Sequence, residues 1–157
     1  MNEIIYTILI AMAPISELRG AIPIAISVYH MSWQSALFWS VLGNMIPVVF
    51  ILWLLGPFVN WLGRKIPRLG KWINNYFEHT KNKHAKKIEV YKELALVILV
   101  AIPLPLTGAW TGALVAYLFG LPYKKALPLI FLGVLIAGII VTLVSMGFLN
   151  IQIFIKH

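Results

Sequence analysis

The sequence contains no cysteine, which excludes disulfides, thiolate zinc sites and cysteine nucleophiles. It is also poor in charge. Only 11% of its 157 residues are charged and 61% are hydrophobic, whereas a soluble domain carries about a quarter charged residues. A chain this short leaves much of its surface exposed when it folds in water, so this apolar content predicts a bilayer as its solvent. No nucleophile triad, phosphate-binding glycine loop or zinc-ligand spacing occurs. The four histidines (His30, His79, His84 and His157) are scattered among loops and ends, without the spacing of metal ligands. An enzyme is not expected, nor is a cofactor or metal.

The charge that is present is unevenly placed. The net charge is +8, and nine of the thirteen Lys and Arg lie between Arg64 and Lys92. In so apolar a chain this cluster predicts a cytoplasmic loop facing anionic lipid rather than a nucleic-acid surface. Leu62, Ile66, Leu69, Ile73 and Phe77 recur there at helical spacing, with Trp61, Arg64, Lys65, Arg68, Lys71 and Trp72 among them. This predicts an interfacial amphipathic helix interrupted near Pro67 and Gly70. At the N-terminus, Glu3 stands where a secretory signal needs positive charge, so the first stretch is read as mature protein.

Four apolar stretches follow one another: Ile4–Tyr29, Ser35–Val59, Leu94–Phe119 and Ala126–Leu149. Each exceeds the ~20 residues a spanning helix needs. The second and fourth carry only isolated Gly or Pro, which membrane helices tolerate. The first is interrupted at Pro14-Ile-Ser-Glu-Leu-Arg-Gly-Ala-Ile-Pro23, and the third at Pro103-Leu-Pro105-Leu-Thr-Gly-Ala-Trp-Thr-Gly112. Pro103 and Pro105 together are hard to keep in a straight helix, and the two prolines and glycine around Glu17 and Arg19 predict a break in the first stretch as well.

Sliding the chain on itself by 90 residues aligns break with break and intact stretch with intact stretch. Ile8 meets Ile98, Ala11 Ala101, Ala36 Ala126, Gly43 Gly133 and Phe58 Phe148. This is the mark of an internal transporter-like repeat, with repeat 1 at 3–60, a linker at 61–92 and repeat 2 at 93–150. If each broken stretch enters the membrane and returns, the repeats are inverted. Lys124 and Lys125 then join the basic loop on the cytoplasmic face, as the positive-inside rule prefers. The expected fold is an all-α integral membrane protein. It comprises two inverted units, each a re-entrant helical hairpin followed by a transmembrane helix, joined by the basic amphipathic segment. Two crossings cannot shield two hairpin tips from lipid, so a homodimer or larger assembly is expected.

Glu17 and Arg19 are the only charges between Ile4 and Tyr29. A charge at the centre of a membrane helix costs about 2.5–3.5 kcal/mol on the insertion scale, and such residues mark ion or substrate pathways. In a turning backbone the two side chains can share one cavity, with Glu17 as proton or ion coupler and Arg19 as anion contact. The alternative is an ion pair that only pins the hairpin. Thr107, Trp110 and Thr111 supply hydroxyls and an indole N–H on the facing break, where freed helix N-termini attract anions. Pro14, Ser16, Gly20, Pro23, Pro103, Pro105 and Gly108 shape the two turns.

On the segments 16–23 and 103–112, the chain resembles the small multidrug export family over nearly its whole length. It is similar, more remotely, to DedA-type (VTT-domain) membrane proteins, with Pro14-Ile-Ser-Glu17 matching their Pro-x-x-Glu element. That group carries an arginine in the second hairpin, whereas here Arg19 lies in the first. The resemblance implies a multi-pass protein of the prokaryotic inner membrane. It also implies proton- or ion-coupled movement of a small amphipathic compound or a lipid-linked anion such as a polyprenyl phosphate. A non-transporting membrane scaffold is the competing class.

Overall fold

The computed structural model describes residues 2–65, 86–104 and 107–155, and all regular elements among them are helices. These are α1 (Asn2–Met12), α2 (Glu17–Ser27), α3 (Trp33–Lys65), α4 (Lys86–Ala101), α5 (Ala109–Leu118) and α6 (Tyr123–Ile155). Two are long and apolar enough to cross a membrane, through Trp33–Val59 in α3 and Tyr123–Phe148 in α6. At 1.5 Å per residue each span reaches ~40 Å, beyond the ~30 Å of a hydrocarbon core. The 11 residues of α1 or α2 reach only ~16 Å, about half-way.

Both expected breaks are present. The first turn closes with Ala13 N–H donating to Ile10 O (3.2 Å) and Glu17 N–H to Ala13 O (2.9 Å). The Ser16 hydroxyl donates to Ile10 O at 2.7 Å. In the second turn the Thr107 hydroxyl lies 2.8 Å from both Ile102 O and Leu104 O. Hydroxyls here take carbonyls that the interrupted helices leave free. Pro23 behaves differently from expectation: it sits inside α2 rather than in the break, as membrane helices allow. Pro105 lies outside the described residues.

Each short pair folds back on itself. Beside the start of α1, the Tyr6 and Tyr29 rings lie 6.4 Å apart and the Thr7 hydroxyl is 3.6 Å from Met31 Sδ. In the second half Lys92 Nζ donates to Phe119 O (3.2 Å), and Lys125 pairs with Glu93 (3.2 Å). α1–α2 and α4–α5 are therefore helical hairpins that begin and end on one side. The two long helices run antiparallel: Trp33, opening α3, shares a cavity with Met146 late in α6, and Gly138 abuts Leu37 and Val41.

The packing of one half is repeated in the other. α1–α3 corresponds to α4–α6, α1–α2 to α4–α5, α2–α3 to α5–α6, and α2–α6 to α5–α3. In the long helices six buried positions match at an offset of 90: 36, 40, 43, 44, 47 and 48 against 126, 130, 133, 134, 137 and 138, while buried Val41 and Thr142 face exposed Phe131 and half-buried Leu52 in that register. In the hairpins the register differs. Buried Thr7 and Ala11 correspond to Leu96 and Val100, offset 89. Glu17, Leu18, Ala21, Ile22 and Ala25 correspond to Gly108, Ala109, Gly112, Ala113 and Ala116, offset 91. The second tip is thus two residues longer and the following connection one shorter. Ile8 therefore matches Val97 and not the identical Ile98: a Cβ on Gly43 would meet Ile8 O at 2.7 Å, and one on Gly133 would meet Val97 O at 3.0 Å.

The interior is built largely from Ala and Gly, including Ala21, Ala25, Ala109, Ala113 and Ala116, around Leu18, Ile22, Val100 and Ile130. Large side chains such as Phe38, Trp53, Phe58, Leu143 and Phe148 point outward. Small residues within and large apolar ones without is the packing logic of helices in lipid. α3 runs on through Trp61, Arg64 and Lys65, with Lys65 Nζ 4.6 Å from the centre of the Trp61 ring. Arg68, Lys71 and Trp72 lie outside the described residues.

Candidate functional site

The two hairpin tips meet, and their contact is built almost wholly from the segments singled out in the sequence. Glu17 opens α2 with φ of 46°, a left-handed conformation unusual for a residue with a side chain. Its carboxylate is buried, with the residue only 5% exposed, and lies at the N-terminus of α5. There Trp110 N–H donates to Glu17 Oε1 at 3.4 Å, and the Ala109 amide also faces it. An acidic group capping a helix N-terminus satisfies free amides and meets the positive end of the helix dipole. Here the cap comes from the opposite hairpin.

Gly108 makes room for that carboxylate. Its φ is 133°, and a Cβ at this position would overlap the Glu17 carboxyl group. In the structural register Gly108 is the counterpart of Glu17, so one half supplies the acid and the other supplies the space.

Arg19 and Trp110 form the second corresponding pair. The Arg19 guanidinium donates to Leu104 O and Thr107 O, and lies 3.2 Å from the Thr107 hydroxyl. It also lies 3.8 Å from Glu17 Oε2. Trp110 Nε1–H donates to Met12 O at 3.2 Å. Each residue thus reaches from the first turn of its returning helix to carbonyls of the facing tip. Glu17 and Arg19 are expected in a non-helical turn, and the structure differs. Both lie in the first turn of α2, and the left-handed Glu17 brings the side chains together.

The remaining expected residues are support. Ser16 and Thr107 are counterparts whose hydroxyls tie down their own turns. Gly20 packs against Ser16. Pro14 is exposed at the tip and Pro103 lies in the second turn, while Thr111 falls in the first turn of α5. Sequence reasoning missed the accepting carbonyls of Met12 and Leu104, which no side-chain pattern reveals. It also missed Ser40 and Asn44, buried at 0% and 1% exposure on α3. Their signal was readable: two polar residues four apart in an apolar stretch.

Beside the tips, a cavity of about 660 Å³ is lined by Phe50, Leu54, Phe58, Trp61, Trp110 and Leu114, among others. Its wall is apolar, and Trp110 belongs both to it and to the tip contact. Among the described residues no cluster of three His, Cys, Asp or Glu is placed to hold a metal.

Two helices long and apolar enough to cross a membrane, with large apolar side chains turned outward, point to a membrane location for this all-helical chain. The chain belongs to the family described as "putative small multi-drug export protein", whose model matches residues 17–140. That match begins at Glu17, at the end of the first turn, and takes in α2 and the whole second tip. Comparison with curated proteins and with solved structures gives no match.

Proposed function

We propose that the protein is a multi-pass transporter that exports or translocates a small amphipathic compound or a lipid-linked anion, coupled to protons or another ion. The observation that carries this reading is the buried Glu17 carboxylate held between two facing hairpin tips, on the N-terminus of a helix from the other half. Ionisable groups within membrane segments mark substrate or ion pathways by default. The hairpins are re-entrant in this reading and the two halves inverted. Antiparallel α3 and α6, and hairpins that begin and end on one side, support it. So does the positive-inside rule, which groups Asn60–Lys92 with Lys124 and Lys125.

The tips as they stand are latched. Protonating Glu17 removes the charge that holds the α5 N-terminus, and an incoming anion competes with Leu104 O and Thr107 O for the Arg19 fork. Either event loosens the contact, and the apolar cavity at Trp110 offers the substrate's tail a seat. In reconstituted liposomes Glu17→Gln should abolish proton-coupled transport while the protein keeps its fold by circular dichroism. Full activity in that variant would refute the role.

The scaffold reading is favoured by one feature: every charged group of the tips already has a partner within the chain. Exchanging the charges (Glu17→Arg with Arg19→Glu) separates the two, since an oriented coupling site loses transport whatever the stability of the swapped pair. A homodimer or larger assembly covers the tips from lipid in this reading. Native mass spectrometry from nanodiscs that shows only monomer would count against it.

A further inference from the structure

The middle of α3 holds polar groups that the tip contact does not use. The Ser40 hydroxyl and both polar atoms of the Asn44 amide are buried, with no hydrogen-bond partner among the described residues. Other hydroxyls on these helices satisfy themselves locally. Thr7, Ser27, Thr142 and Ser145 each donate to the carbonyl four residues earlier, at 2.5–2.8 Å. Ser40 does not. The corresponding positions of α6 are the buried apolar residues Ile130 and Val134. The same packing can thus be filled without polar atoms, and only the half that carries Glu17 has them.

Their position follows from the way α1 and α3 lie together. The two helices run side by side in the same direction: Thr7 adjoins Met31, and Gly43 adjoins Ile8 and Ala11. Ser40 and Asn44 therefore occupy the turns of α3 that lead from the His30 connection towards the first tip. Side chains four apart on a helix lie ~5–6 Å from each other. Asn44 follows Gly43, which packs against Ala11, and α1 ends at Met12, just before the turn in which Glu17 N–H donates to Ala13 O.

We infer that Ser40 and Asn44 form the inner part of a hydrated path that passes protons between Glu17 and the His30 side of the membrane. This rests on the reading of Glu17 as a proton carrier. A hydroxyl can both donate and accept, and an amide offers a donor and an acceptor at separate atoms. Water held between them finds the two to four partners that a buried water requires. Each passage forms one O–H bond and breaks one, ending on the Glu17 carboxylate, and leaves Ser40 and Asn44 unchanged. Arg19, 3.8 Å away, is the ion-pair partner of that carboxylate among the described residues.

Infrared spectroscopy of the full chain in nanodiscs tests this. Glu17→Gln assigns the carboxylic C=O band of protonated Glu17, and transfer to D₂O gives the rate at which its proton exchanges. Asn44→Val and Ser40→Ala should each slow that exchange at least about tenfold, a barrier change worth one such factor. Ser40→Thr, which keeps the hydroxyl, should exchange at the wild-type rate. Unchanged exchange in both slowed candidates overturns the path and leaves the proton role of Glu17 intact. A band missing at every pH overturns the proton role instead, and the path with it. Should Asn44→Val fail to fold, Ser40→Ala decides alone.

Discussion

The two hairpins share a packing plan and differ in what they bring to the point where they touch. The first carries Glu17 and Arg19; the second carries Gly108 and Trp110 at the corresponding positions. Both send a nitrogen donor from the first turn of the returning helix to carbonyls of the opposite tip. Only one brings an acid, and the other brings a glycine in the left-handed region whose missing Cβ leaves space for it. The likeness fixes how the tips approach, and the difference fixes which of them carries charge.

The hardest blow to this arrangement is Gly108→Ala. It strains a backbone at φ 133° and drives a methyl group into the Glu17 carboxylate. We expect a loss of about 3 kcal/mol, from strain and overpacking each worth about 1–3, read as a fall in unfolding temperature in detergent. Combining it with Glu17→Ala should recover part of the loss, and no recovery would deny that the two positions face each other.

Gly43→Ala and Gly133→Ala probe the likeness itself. Added Cβ atoms would meet Ile8 O at 2.7 Å and the Val100 Cβ at 2.6 Å respectively. Each should cost about 1–3 kcal/mol, and by similar amounts. Losses that differ widely in thermal unfolding would break the correspondence of the long helices. Gly56, with nothing within 4 Å of a Cβ, is the control that should tolerate alanine.

The smallest effects separate the two donors. Arg19→Lys gives up a fork that spans two carbonyls for a single ammonium, and Trp110→Phe gives up one neutral hydrogen bond. About 1–2 kcal/mol is expected for the first and about 1 for the second. Trp110→Phe as the more damaging change would place the main hold on the tips in the second hairpin.

How much of this could be read in the sequence depends on the signal each part leaves. Pro14 and the Pro103–Pro105 pair marked the two breaks, because proline removes a backbone donor, and long apolar stretches marked both long helices, whereas Pro23, Pro47, Pro57 and Pro128 stand inside helices. The offset of 90 holds through α3 and α6, where helical packing permits no insertion. It is one residue short in the second tip and one residue long in α4. The identities of Ile8 with Ile98 and Ala11 with Ala101 were therefore not spatial correspondences. Glu17 and Arg19 stood out by charge alone. Gly108 did not, since a glycine's role depends on what lies against it. The accepting carbonyls of Met12 and Leu104 belong to the backbone, which every residue has.

The burial of a single carboxylate beside a glycine has a consequence for stoichiometry. Two separate, identical half-chains meeting in this way would bring either two acids into one small space, where like charges oppose each other, or two glycines and no acid. A contact with one acid needs halves that differ, and joining them in one polypeptide guarantees that every molecule has one of each.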